Sequence, residues 1–182
     1  MATRNILRDG DPSLLKKSRA VTDFNQRLFT LLDDMRETLI EANGVGLAAP
    51  QVGILRRAVL VVDTNKEDVP YEDQVIELIN PEIVAASGEQ SGLEGCLSVP
   101  SVYGIVTRPD FVKVKAQDRF GEPFEVFGSG LTARAFCHEI DHLEGKMFTS
   151  VAEKILTPEE LAEYDRQAEE EDDDWEEDGF VE

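Results

Sequence analysis

The 182-residue chain contains two histidines, and both fall in one run, Phe136-Cys137-His138-Glu139-Ile140-Asp141-His142-Leu143-Glu144-Gly145. On a helix, residues four apart lie on one face about 6 Å apart along the axis, so His138 and His142 can grip a single metal ion. Glu139 is rotated roughly 100° from His138, off the ligand line yet close enough to act as a base beside an open coordination position. Two ligands, an open position and a base are what metal-assisted hydrolysis requires.

A third ligand would complete the set. Of the two cysteines, Cys137 precedes His138 on the same helix and projects about 140° away from His142, so it reads as an inert buried thiol. Cys96 lies on a distant segment between Gly95 and a strand-like run, free to be carried over the helix face by the fold. A thiolate with two imidazoles makes a three-ligand, open tetrahedral site. Metallopeptidases that extend His-Glu-x-x-His to a third histidine would need it at position 148, which is Phe148, and they are excluded. Those that take a glutamate from a later helix would find Glu160 or Glu163, but nearly every neighbour there is acidic too.

The elements that must position these residues can be read in order. Asn5 to Pro12 is a short extended piece closing in an Asp/Gly/Pro turn. From about Asp23 to Ala42, Phe24, Leu28, Leu31, Leu32, Met35, Leu39 and Ile40 recur at threes and fours, an amphipathic helix capped by Thr22 or Asp23 and ended by Gly44. Gly44-Val45-Gly46-Leu47-Ala48-Ala49-Pro50-Gln51 reads equally well as a helix-to-strand turn needing positive φ and as a loop built for close backbone approach. Ala58 to Asp63, Val75 to Pro81, Glu82 to Ser87, Tyr103 to Arg108, Phe111 to Ala116 and Pro123 to Phe127 are strand runs, the last two forming a hairpin around Asp118-Arg119-Phe120-Gly121. Thr64 to Asp73 reads as a mobile loop, and the histidine helix begins after Gly128-Ser129-Gly130 and stops at Gly145. Antiparallel strands flanked by two or three helices define an α+β domain around a central metal-binding helix.

Composition bounds the function. The length suits one domain, and 41% hydrophobic with 31% charged residues is ordinary for a globular protein. No apolar run reaches the ~20 residues of a membrane span, and Met1 to Asn5 lacks a signal-peptide core, so the expected location is cytoplasmic. The formal charge of −20 is concentrated in a tail: from Thr157 onward fourteen Asp and Glu face the single Arg166, leaving −7 for the preceding residues. Neither part offers a basic footprint for DNA or RNA.

Three separated runs, Gly44 to Gln51, Glu94-Gly95-Cys96-Leu97-Ser98 and His138-Glu139-Ile140-Asp141-His142, resemble the three signature motifs of the peptide deformylases in order and approximate spacing. Similarity extends from Ile6 to about Lys154, including Gly10-Asp11-Pro12 and Gly130 to Arg134. The resemblance implies removal of formate from the N-formylmethionine of nascent polypeptides, with Cys96, His138 and His142 as metal ligands and Glu139 as general acid and base. It implies that Gln51 and the backbone N–H of Leu97 receive the oxyanion. Val45, Gly46 and Gly95 would bind the substrate as an added strand, and Leu131, Arg134 (by its aliphatic stem), Ala135 and the His138 ring would line the methionine pocket. Asp141 would either orient a ligand histidine or solvate the helix.

The resemblance favours ferrous iron, although zinc, nickel and cobalt suit the same donors. The competing functions are an endopeptidase and a metal-free binding protein that has lost its chemistry. Residues 1–156 form the expected catalytic domain. Beyond it, Thr157-Pro158-Glu159-Glu160 reads as a capped helix start. After Arg166 the acidic run is expected to repel itself into disorder, with Trp175 or Phe180 as lesser candidates for protein contact. Such a tail opposes ribosomal RNA phosphates, so ribosome contact is expected to be weak or to involve the body.

Overall fold

The computed structural model describes residues 1–177. Its architecture follows from one strand that is apolar at every position. β2 (Ala58–Val62) is buried throughout. Successive side chains of a strand point to opposite faces, so a run without polar interruption needs cover on both sides. Ala58, Leu60 and Val62 pack with Leu28, Leu32, Met35 and Leu39 of α1 (Gln26–Ala42). Val59 and Val61 pack with Ala133, Phe136 and Leu143 of α2 (Gly130–Leu143). Helix, sheet and helix are thus three layers, and α2 lies inside the molecule with every residue from Thr132 to Glu139 buried.

β2 belongs to a five-stranded antiparallel sheet ordered β1 (Gly46–Ala48), β2, β3 (Val75–Ser87), β6 (Phe111–Gln117) and β7 (Pro123–Ser129). The strand run to Pro81 and its continuation from Glu82 form one strand, β3, broken in register near Asn80, whose side chain bonds both Val21 and Gln117. A second sheet is ordered β4 (Gln90–Cys96), β5 (Val99–Arg108) and β8 (Lys154–Ile155). β4 escapes the sequence pattern because Gly92 and Gly95 interrupt it. A Cβ at Gly95 would stand 2.7 Å from Tyr103 Cε1, so the glycine admits a cross-strand ring. The α+β class is as expected.

Both ends of α1 and the loop after β2 differ from the sequence reading. Asn25, not Thr22 or Asp23, caps α1 by accepting from the N–H of Arg27 and Leu28. The same helix ends on Asn43 in the left-handed region (φ 50°) rather than on Gly44. The loop after β2 is held at two points, Thr64 to Thr132 Oγ1 and the Tyr71 hydroxyl to the Gly44 carbonyl. At the far end, Thr157 and Glu160 form the reciprocal cap of α3 (Pro158–Glu177). That helix continues past Arg166, farther than charge repulsion suggests. Phe180 and the side chain of Trp175 lie outside the described residues.

Candidate metal centre and active site

The centre forms where the edge strand of each sheet, β1 and β4, passes over α2. Helical spacing sets the His138 and His142 rings side by side, centroids 4.9 Å apart, and both are buried. Cys96, the last residue of β4, brings its Sγ to 3.4 Å from His142 Nε2. One ligand atom from each of Cys96, His138 and His142 lies within 4.8 Å of the others. Glu160 does not compete, since it is occupied in capping α3 and pairing with Lys154. Position 148, where a third histidine was excluded, is filled by Phe148 stacked on the His138 ring.

What fixes the His138 ring is Glu94, a residue to which the sequence reading gave no role. Strand periodicity puts Glu94 on the same face of β4 as Cys96. Its Oε2 lies 2.8 Å from His138 Nδ1, leaving Nε2 for the shared ion. Glu94 also receives Arg134 Nη1 on Oε1 at 3.0 Å and a two-pronged bond from Arg108 at 3.1 and 2.7 Å. Burial alone would push the Glu94 carboxyl up, but the His138 and Arg108 bonds outweigh it and hold it down at about 2. Asp141 contacts neither ligand: its Oδ2 accepts from Arg108 Nη1 at 2.7 Å, so it supports the histidine only through Arg108 and Glu94. Arg134 likewise departs from its expected part. Its guanidinium is buried against Glu94 and the Val106 carbonyl, so the head as well as the stem is inside. Arg108 lies far from every motif and left no sequence signal, whereas Glu94 could have been found from its two-residue spacing to Cys96.

The charges suit a cation. Burial disfavours a charged His142 and holds it down at about 3, a neutral ring with a free lone pair. For His138 burial acts the same way, but Cys96 and Glu94 reverse it and carry the ring up to about 10. His138 is therefore the point to which positive charge is drawn, and a metal ion can take the place of that proton. Glu139 Oε2 is buried without a hydrogen-bond partner among the described residues, and burial pushes its carboxyl up to about 7. Such an orphan acceptor beside three converging donors fits a metal centre handling protons. Cys137 is pushed up to about 11 by burial and stays an inert thiol.

The small residues of the first motif now have their reason. Neither Gly44 nor Gly46 has positive φ. A Cβ on Gly46 would sit 2.5 Å from Glu139 Oε1, and one on Gly44 would sit 2.9 Å from Leu97 Cδ1. Close approach, not turn geometry, requires them. Gln51 is fully buried, its Oε1 accepting from the Ala48 N–H and its Nε2 donating to Ser98 Oγ at 3.1 Å while lying 3.5 Å from Cys96 Sγ. The cleft above, about 500 Å³, is lined by Val45, Gly46, Gly95, Leu131, Arg134 and Ala135 among others. All six residues expected to bind substrate are therefore brought together.

A cysteine sulfur converging with two buried imidazoles, beside a buried carboxyl and bordering a cleft, is the donor set of a metal-dependent hydrolase. Residues 3–157 match the family model for polypeptide deformylase. The chain is 51% identical over 170 residues to the peptide deformylase of Lachnoclostridium phytofermentans, spanning 93% of this chain and 100% of that protein. It is 48% identical to peptide deformylase 1 of Bacillus subtilis, across 90% of this chain and 98% of that one. A crystal structure of a peptide deformylase from Legionella pneumophila superposes with a TM-score of 0.76 at 41% identity, covering 92% of this chain and 98% of that one. The chain belongs to the polypeptide deformylase family, metal-dependent enzymes that remove the formyl group from N-terminal formylmethionine.

Proposed function

We propose that this cleft deformylates N-formylmethionyl peptides with the following division of labour. Cys96, His138 and His142 would hold one divalent ion, which when bound supplies Lewis-acid polarisation of the formyl oxygen and of water. Glu139, whose Oε2 is buried without a hydrogen-bond partner among the described residues, takes the proton of the attacking water and returns it to the departing amine, a role commonly worth about 10²–10⁴ in rate. Gln51 Nε2 keeps one hydrogen on Ser98 Oγ, and the other, which donates to Cys96 Sγ at 3.5 Å, turns together with the Leu97 N–H to the oxyanion as the formyl carbon becomes tetrahedral.

Substrate backbone pairs with Val45, Gly46 and Gly95. Support for this comes from the topology, because β1 and β4 are both edge strands and both border the cleft. The methionine side chain lies against Leu131, Ala135, the His138 ring and the stem of Arg134. Residues 1–156 carry the activity, and α3 with the acidic tail is a solubilising appendage. The protein works in the cytoplasm on nascent peptides and touches ribosomes weakly or through its body, consistent with a net charge of −20. Co-sedimentation with ribosomes that drops on deleting residues after Arg166 would overturn the last point.

The observation that carries the proposal is the convergence of Cys96 with both histidines beside Glu139. Its test is formate release from a formyl-Met-peptide compared with internal cleavage of an unformylated peptide. Formate without cleavage is the expected result, and cleavage without formate would establish an endopeptidase instead. Ferrous iron is the proposed ion, so activity should decline in air. Activity indifferent to oxygen would point to zinc, nickel or cobalt, each compatible with these donors.

A further inference from the structure

Oxyanion donors act only when they are held in place before the reaction. Both proposed donors sit on short turns. Leu97 and Ser98 are the central residues of the turn joining β4 to β5, where Cys96 pairs with Val99. Gln51 belongs to a four-residue 3-10 turn, Ala49–Val52. Three consecutive residues near the start of the chain bond the backbone of both. The Leu7 N–H donates to the Gln51 carbonyl at 2.7 Å, and the Asp9 N–H donates to the Ser98 carbonyl at 2.9 Å. Between them Arg8 Nη1 donates to the Leu97 carbonyl at 2.8 Å.

This segment is anchored on both sides. Before it, Arg4 pairs with Asp34 of α1 and its N–H donates to Thr38 Oγ1. After it, Asp11 caps the 3-10 turn Pro12–Leu15, which buries Leu14 among Val99, Val106 and Phe148. Arg8 itself is exposed, lines the cleft and takes part in none of the ion pairs among the described residues, so the one hydrogen bond its side chain makes there is to the donor turn. A surface guanidinium spent on a turn carbonyl, flanked by two backbone bonds to the same pair of turns, is a clamp across the donors.

We propose that Leu7–Asp9 is a positioning strap that fixes the separation of the Gln51 and Leu97 donors, with Arg8 as its positioning residue. The proposal rests on the deformylase reading above. It predicts a defect in the transition state rather than in substrate binding. In the metal-loaded full chain, Arg8→Ala should lower kcat for formate release about 10-fold with KM within about 2-fold, since misplaced donors weaken charge stabilisation but not ground-state contacts. Metal content and melting temperature should match the parent. Arg8→Lys, which keeps a cationic donor for the Leu97 carbonyl, should recover most of the loss, and millimolar guanidinium should restore part of it in Arg8→Ala. An Arg8→Ala enzyme with unchanged kcat, with its defect in KM alone, or with a loss that follows metal content would sink the strap while leaving an active parent enzyme. A parent that releases no formate would instead sink the deformylase reading and the strap with it.

Discussion

Glu94 joins His138, a proposed metal ligand, to the buried charges of the core. A carboxylate buried among His138, Arg108 and Arg134 is costly to place and more costly to lose, because its removal strands positive charge in the interior. Glu94→Gln should weaken metal affinity by about 10–100-fold and destabilise the protein by on the order of 3–5 kcal/mol. Metal titration and denaturant unfolding check the two effects separately, and unaltered affinity would show that His138 needs no partner. Glu139 makes the complementary pH prediction. A carboxyl raised by burial to about 7 stabilises least when ionised, so its own contribution to the stability of the metal-free protein should fall as pH rises from about 4.5 toward 7, while His142, held down at about 3, acts in the opposite direction up to about 6.5. Glu139→Gln cannot ionise. Its stability advantage in chelator-treated protein should therefore grow across that window to as much as about 3 kcal/mol and then level off. Equal advantages at pH 5 and pH 7.5 would contradict the raised carboxyl.

At the scale of elements, α1 and α2 compete for nothing, because β2 gives each its own face. That separation lets α2 be packed as a core helix and still carry the buried His138, Glu139 and His142, while α1 contributes cover and anchorage for the N-terminal segment. Weakening α1 should accordingly cost stability without touching the chemistry. Asn25→Ala, which deletes the acceptor for the Arg27 and Leu28 N–H groups, should lower unfolding free energy by about 1 kcal/mol. Metal content and kcat/KM should stay at parental values. A loss of activity at temperatures where the variant is fully folded would mean that α1 does more than support.

For the whole molecule, the net charge and the catalytic body are separable. α3 starts from its own cap and a Lys154–Glu160 pair, and those exposed contacts contribute little to the core. Removing residues 158–182 should leave kcat/KM within about 2-fold and the melting temperature within a few degrees, because surface changes away from the core are small. Solubility near the new isoelectric point should fall, since the body alone carries a much weaker charge. A truncated protein that loses metal or unfolds early would make α3 part of the domain.

Residue types and local period were enough to expose the histidine pair, the carboxyl between them, the two helices, most strands of the larger sheet and, through three spaced motifs, the family. Those features depend on neighbours in sequence, where spacing translates directly into direction. β4 stayed hidden because its glycines serve a cross-strand ring and a buried arginine rather than a strand propensity. The parts played by Glu94, Arg108 and Arg134, the detachment of Asp141 from the ligands, and the bonds that Leu7, Arg8 and Asp9 make across two turns became visible only in three dimensions. Each joins segments tens of residues apart, and no periodicity along the chain records which side chain a fold will place opposite another.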